Sequence, residues 1–289
     1  MQPPFPCPTA SWHNDTYESI SPRRSGLSAA GKTVIVIGAG SGIGRATALA
    51  FAEAGASHVA LLGRTEATLQ ETGNAIATAG QVTTSVHTAD LTKAESLEEA
   101  AGAIGKWHVL VLSSAYVAKP SSILSSGVDD WWQAFETNVK GTLLALKAFL
   151  PRVGSQAAIL GLATGVASFP ADSLPGLSAY TSSKLCQTRI IEFVASENPD
   201  IFAASVHPGM VETDIFYKTG GRADILPIDR VQLPAHFLVW MASPEAAFLK
   251  GRSVWANWDV EELKAQKQTI SEGQTMMTGF NGWPFITQA

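Results

Sequence analysis

Cysteine is scarce in this chain: Cys7 and Cys186 are the only two in 289 residues. A single distant pair builds no disulfide framework, and neither residue has metal-ligand spacing to a second cysteine or a histidine. The six histidines (His13, His58, His87, His108, His207 and His236) likewise lack the short intervals of a metal site, so no metal is expected. Positive charge is sparse too. With 20 Lys and Arg against 25 Asp and Glu, and no basic run beyond Arg23-Arg24, little is present to neutralise a phosphate backbone. Nucleic acid is therefore not the expected partner. Long apolar runs are missing: no stretch approaches the roughly 20 residues that a bilayer crossing needs, and Met1 to Pro8 holds prolines where a signal peptide would have an apolar core. A cytoplasmic protein without a membrane partner is the expectation.

What is present is apolar residues in quantity, 46% of the chain, enough for one sizeable core. Residues 1–30 are rich in Pro, Ser and Thr yet carry Trp12, Tyr17 and Ile20, which marks an N-terminal extension that wraps on the body. From residue 31 to 260 strand and helix patterns alternate. Strands are expected at Lys32–Ile37, Val59–Leu62, Thr83–Thr88, Val109–Leu112, Ala157–Leu162, Phe202–Val206 and Arg252–Ala256. Helices are expected at Arg45–Ala54, Glu66–Ala79, Lys93–Ile104, 129–150 and 178–197. That order predicts a single-domain, doubly wound α/β fold: a parallel sheet of about seven strands with helices on both faces. The mixed stretch 214–235 reads as a lid over the strand C-termini, and 261–289, with Trp283, as a tail packing on the body.

Two motifs carry chemistry. Gly38-Ala39-Gly40-Ser41-Gly42-Ile43-Gly44 follows an apolar strand and opens a helix, where glycines allow a tight turn and free amides favour a pyrophosphate. Downstream, Tyr180-Thr-Ser-Ser-Lys184 puts a phenol and an ammonium on one helical face as an acid/base pair.

With both motifs, residues 31–257 resemble the short-chain dehydrogenase/reductase family, a Rossmann-type fold. The family's T-G-x-x-x-G-I-G reads here Ile37-Gly38-Ala39-Gly40-Ser41-Gly42-Ile43-Gly44. Asp90-Leu91 matches the pair that touches adenine, and Asn138 in Glu136-Thr137-Asn138-Val139-Lys140-Gly141 matches the family's asparagine. His207-Pro208-Gly209-Met210-Val211-Glu212-Thr213 matches the turn and threonine that hold the nicotinamide end. The resemblance implies cofactor contacts from Gly38, Ser41, Gly42, Ile43, Gly44, Asp90, Leu91, Ser114, Tyr180, Lys184, Pro208, Gly209, Val211 and Thr213. It departs at Leu112-Ser113-Ser114-Ala115-Tyr116, where the family writes N-N-A-G, so Tyr116 is expected to intrude where glycine normally sits. It departs again at the catalytic serine. Thr164, just after the fifth strand, is aligned there, with Ser168 as the alternative and a short insertion around Pro170–Pro175.

The implied mechanism has Tyr180 as acid/base, Lys184 lowering the phenol's pKa, Thr164 bonding the substrate oxygen and Asn138 holding a water that links Lys184 to solvent; a purely structural Asn138 stays open. At the end of the second strand, Gly63 stands where an acidic residue would bond a ribose hydroxyl. Arg64 follows with a guanidinium suited to a 2′-phosphate, so NADP(H) is favoured over NAD(H), with Arg45 a further candidate cation. The reading is an NADP(H)-dependent oxidoreductase acting on a carbonyl or secondary alcohol of a small organic molecule. The N-terminal Trp12–Pro22 and C-terminal Val254–Leu263 look like a filamentous-fungal branch, which implies a secondary metabolite as substrate. Trp131-Trp132 lies on a helix that packs against a second subunit in many relatives, implying a homodimer or homotetramer. The rival reading keeps the fold without net redox chemistry, as an isomerase, dehydratase, cyclisation catalyst or cofactor-binding non-enzyme.

Overall fold

The computed structural model describes residues 2–4, 6–80 and 82–279. Among these, seven strands form one parallel sheet in the order β3-β2-β1-β4-β5-β6-β7. They are β1 (Thr33–Ile37), β2 (His58–Gly63), β3 (Thr83–Thr88), β4 (Trp107–Leu112), β5 (Val153–Leu162), β6 (Phe202–His207) and β7 (Ser253–Trp255). The helices are α1 (Gly42–Glu53), α2 (Glu66–Ala79), α3 (Ala94–Ile104), α4 (Val128–Phe135), α5 (Gly141–Phe149), α6 (Ser178–Glu197), α7 (Asp214–Lys218), α8 (Gln232–Met241), α9 (Val260–Ala265) and α10 (Lys267–Glu272).

Period-two alternation in the strands sorts the core into two layers. Val34 and Val36 of β1 face a layer with Phe51 of α1 and Phe237 and Trp240 of α8, while Ile35 and Ile37 face one with Leu97, Leu146, Phe149 and Ile191. Winding outward from β1 in both directions leaves a switch point between β1 and β4, where the two following loops diverge at the strands' C-terminal ends. Doubly wound sheets bind ligands in that crevice.

Three departures from the expected elements have local causes. The helix expected over 129–150 is interrupted by a π-turn at Glu136–Lys140, and the Thr142 hydroxyl donates to the Asn138 carbonyl inside it at 2.8 Å. Helix α1 begins at Gly42 rather than Arg45, because the last glycines of the motif form its first turn. The stretch 214–235 is not one irregular lid. Asp214–Lys218 is helical, and Leu233, Pro234 and Ala235 are buried in α8.

In the N-terminal extension, Trp12 pairs with Trp258 in an antiparallel bridge, and Ile20 and Leu27 are fully inside the core. Leu263 and Ile270 of the C-terminal helices are buried as well; Trp283 lies outside the described residues.

Candidate active site

The glycine-rich turn fits a pyrophosphate because side chains are sterically excluded from it. A Cβ on Gly44 would lie 2.0 Å from the Gly38 carbonyl oxygen, and one on Gly38, whose φ is +94°, would lie 2.8 Å from the Ser114 amide. Gly42 has φ +51° and faces the Thr213 methyl. Ser41 stands at the N-cap position of α1, so the amides of the first turn, Ile43 among them, open toward the crevice. Ser113 donates its amide to the Ile37 carbonyl at 2.9 Å, which ties the loop after β4 to the turn after β1.

At the adenine end, the Asp90 carboxylate accepts from the amide and hydroxyl of Thr92, which hold it below the usual carboxylate range. Leu91 is buried against Gly141, where a Cβ would approach its Cγ to 2.6 Å. Arg64 is exposed and has no hydrogen-bonded partner among the described residues. Arg45 is committed elsewhere: its guanidinium donates to the carbonyls of Gly40 and Thr68 and pairs with Glu71 at 2.8 Å. Without ligand, then, the Arg45 guanidinium spans α1 and α2.

Helix α6 carries Tyr180 and Lys184 into the core side by side, both buried. The Tyr180 phenol lies close enough to the Thr164 hydroxyl, just past the end of β5, for that hydroxyl to lower its pKa, whereas Ser168 closes the short turn that follows. Lys184 Nζ donates to the Leu162 carbonyl at 2.7 Å and to Gln187 Oε1 at 2.8 Å. Gln187 Nε2 donates in turn to the Thr142 hydroxyl at 3.0 Å, and that hydroxyl to the Asn138 carbonyl. A chain of side chains thus links Lys184 to the Asn138 carbonyl.

The Asn138 side chain is fully engaged: Oδ1 accepts from the Tyr116 amide at 2.8 Å, and Nδ2 donates to the Tyr116 carbonyl and to Ser183 Oγ, each at 2.9 Å. Tyr116, expected to intrude where glycine normally sits, turns toward α4. Its phenol donates to Asp130, and its ring packs beside Trp131 against Ala118, Ala134 and Ala179.

Electrostatically, burial is the largest effect on both catalytic candidates. It pushes the Tyr180 phenol up to about 12, with the Thr164 hydroxyl opposing, and the Lys184 ammonium down to about 7. Stability should register the buried ammonium. Between about pH 7 and the ordinary lysine value of 10.5, the unfolded chain binds a proton that the folded chain does not, so folding carries a penalty that is full below pH 7 and relieved as pH rises. The melting temperature of the wild type minus that of Lys184→Met should therefore increase between about pH 6 and about pH 9. A difference flat with pH would remove the buried ammonium from this account.

His207 sits edge-on to Trp255 with ring centroids 4.4 Å apart; its Nδ1 is buried without a partner, and burial pushes it down to about 3, so the ring is neutral. A groove of about 380 Å³ opens beside the turn after β5, lined by Val166, Phe169, Leu174 and Leu185. Neither Tyr180 nor any residue of 214–235 lines it.

Sequence reasoning missed Gln187, Thr142 and Asp229. The first two had a faint signal, one turn beyond Lys184 and Asn138 on the same helical faces. Asp229 had none, since its partners are distant in sequence.

A family model for short chain dehydrogenases matches residues 32–222. The chain is 33% identical over 276 residues to the Monascus purpureus short chain dehydrogenase mpl6, covering 91% of this chain and 93% of the relative. It is 35% identical over 289 residues to a Claviceps purpurea short chain dehydrogenase/reductase, covering 95% and 94%. A dehydrogenase/reductase structure from Sinorhizobium meliloti superposes with a TM-score of 0.72 at 26% identity, covering 83% of this chain and 97% of that one. One from Shigella flexneri, complexed with NADP, shares the fold with a TM-score of 0.70 at 19% identity, covering 81% and 99%. Sequence match, fungal relatives and fold converge, and the chain belongs to the short-chain dehydrogenase/reductase family of oxidoreductases, in its fungal branch.

Proposed function

We propose that this protein is an NADP(H)-dependent carbonyl reductase or alcohol dehydrogenase acting on a small organic molecule of fungal secondary metabolism, with Tyr180 as its acid/base. The observation that carries the reading is Tyr180 and Lys184 buried on one face of α6, with the Thr164 hydroxyl acting on the phenol, in a chain whose glycine turn leaves no room for a side chain at Gly38 or Gly44. When bound, the nicotinamide supplies or accepts the hydride. Tyr180 Oη gives the proton to a carbonyl oxygen, or takes it from an alcohol. Thr164 Oγ1 keeps that oxygen in line and stabilises the charge developing on it. Lys184 holds positive charge near the phenol with the hydrogen-bonding capacity left after Leu162 and Gln187 are satisfied, and Gln187 and Thr142 fix its position. Asn138 acts through its backbone carbonyl at the π-turn, while its side chain pins the loop after β4.

Arg64 supports the NADP(H) choice, because an exposed guanidinium at the end of β2, without a hydrogen-bonded partner among the described residues, suits bidentate contact with a 2′-phosphate. Cytoplasmic residence fits the absence, among the described residues, of any helix long and apolar enough to cross a membrane. A homodimer or homotetramer fits the exposed apolar side chains of Trp132 on α4, Leu143 on α5, and Leu185 and Phe193 on α6.

The test is fluorescence titration with NADPH and NADH, followed by NADPH oxidation against a panel of ketones and quinones. NADPH should bind at least about tenfold more tightly than NADH, and Arg64→Ala should erase most of that ratio. An unchanged ratio in Arg64→Ala would overturn the cofactor assignment. Substrate conversion without any change in nicotinamide absorbance would favour an isomerase or dehydratase.

A further inference from the structure

Beneath the turn Pro208–Thr213 lies a buried carboxylate that the mechanism does not use. Asp229 Oδ2 accepts the Met210 amide at 2.6 Å, and Oδ1 accepts from Asn14 Nδ2 at 2.6 Å and Asn257 Nδ2 at 3.0 Å. The Asp229 amide returns a bond to the Met210 carbonyl, and Arg230 donates its amide to the Asn14 carbonyl. Gly209, with φ +82°, is pressed so close that a Cβ there would meet Asp229 Oδ2 at 2.3 Å. One carboxylate thus joins the N-terminal extension, Asn257 two residues beyond β7 and the end of the 214–228 stretch to the turn after β6.

We infer that Asp229 is a positioning residue for the turn Pro208–Thr213, and that the N-terminal segment around Asn14 is thereby a working part of the cofactor site. The inference rests on reading that turn as the contact for the nicotinamide end. Thr213 caps α7 by accepting from the Phe216 amide, so residues 214–228 are strung between two fixed posts, Thr213 and Asp229. Lys218, Asp224 and Ile225 between them are exposed, which is how a segment anchored only at its ends should look. The same extension reaches the catalytic side. Trp12 lies edge-on to Trp255 at 5.9 Å, and Trp255 fills the space beside Gly165, next to Thr164, where a Cβ would meet its ring at 2.4 Å. Burying a carboxylate is costly, and burial raises the pKa of Asp229 against its three hydrogen bonds; a cost held at this place is explained by the turn it holds.

Asn14→Ala removes one donor with little change of shape. Asp229→Asn keeps the shape but offers an amide nitrogen where the carboxylate accepts. Each variant would be titrated with NADPH and with adenosine 2′,5′-bisphosphate, which lacks the nicotinamide half, and cut with trypsin at Lys218 and Arg222 without ligand. The expected result is NADPH affinity weakened about tenfold, the bisphosphate within about twofold of wild type, and faster cleavage in both variants. A loosened fold would weaken both ligands together, and that outcome overturns the positioning role, as does unchanged affinity with unchanged cleavage. If the wild type bound no nicotinamide cofactor, the reading of the turn would fall, and the clasp would stand or fall on the cleavage rates alone.

Discussion

Tyr180→Phe is expected to lower kcat by about 10²- to 10⁴-fold while leaving NADPH affinity within about threefold of wild type. The ring would keep its place on α6 in the core, since only the hydroxyl is lost, and with it at most one polar contact to Thr164. A neutral hydrogen bond contributes about 1 kcal/mol, so the fold should survive and the loss should fall on the proton-transfer step. Single-turnover rates beside cofactor titration separate the two effects. A variant within tenfold of wild-type kcat would remove Tyr180 as acid/base. Loss of cofactor binding in parallel with rate would give the ring a structural role only. The same variant addresses the redox-silent alternatives, because a cofactor-binding non-enzyme has no turnover for the hydroxyl to support.

The second large effect is expected at Gly44. A methyl there would lie 2.0 Å from the Gly38 carbonyl oxygen and 2.8 Å from its carbon, both backbone atoms of the turn that must receive the pyrophosphate. No side-chain rotation relieves that contact, so α1 must move away from β1 or the turn must open. Overpacking of this kind costs about 1–3 kcal/mol, which lowers the melting temperature of a chain this size by about 2–4 °C per kcal/mol. Cofactor binding should fall further, by at least about a hundredfold, because displaced amides lose their aim at the phosphates. Thermal melting and NADPH titration of Gly44→Ala check both parts. Wild-type affinity in that variant would mean that the turn is not the pyrophosphate site.

Much of this architecture was legible because it follows from local rules. Apolar runs of strand length, glycine after the helices and the alternation of the two patterns located β2, β3 and α2 closely, and they placed the glycine turn between β1 and α1. Failures came where a partner distant in sequence decides. Nothing local tells that Asn138 holds the Tyr116 backbone and sits in a π-turn, or that Tyr116 turns to Asp130 on α4. Arg45 looked available at the start of α1, yet Glu71 on the neighbouring helix claims it. At Lys184 a charge and a spacing were legible; its burial, and the Gln187–Thr142 chain that holds it, depend on how α6 lies against α5 and β5.

By itself, then, the sequence determined the class of fold, the glycine turn between β1 and α1 and the placement of Tyr180 and Lys184 on one helical face, because periodicity, glycine content and helical spacing are properties of short segments. Tertiary structure alone decided which hydroxyl meets Tyr180, that burial drives Tyr180 and Lys184 to opposite shifts, and that Asn14 comes to rest on Asp229. Hydrogen-bond partnership and loss of hydration depend on what the folded chain brings together, and chain order does not contain that information.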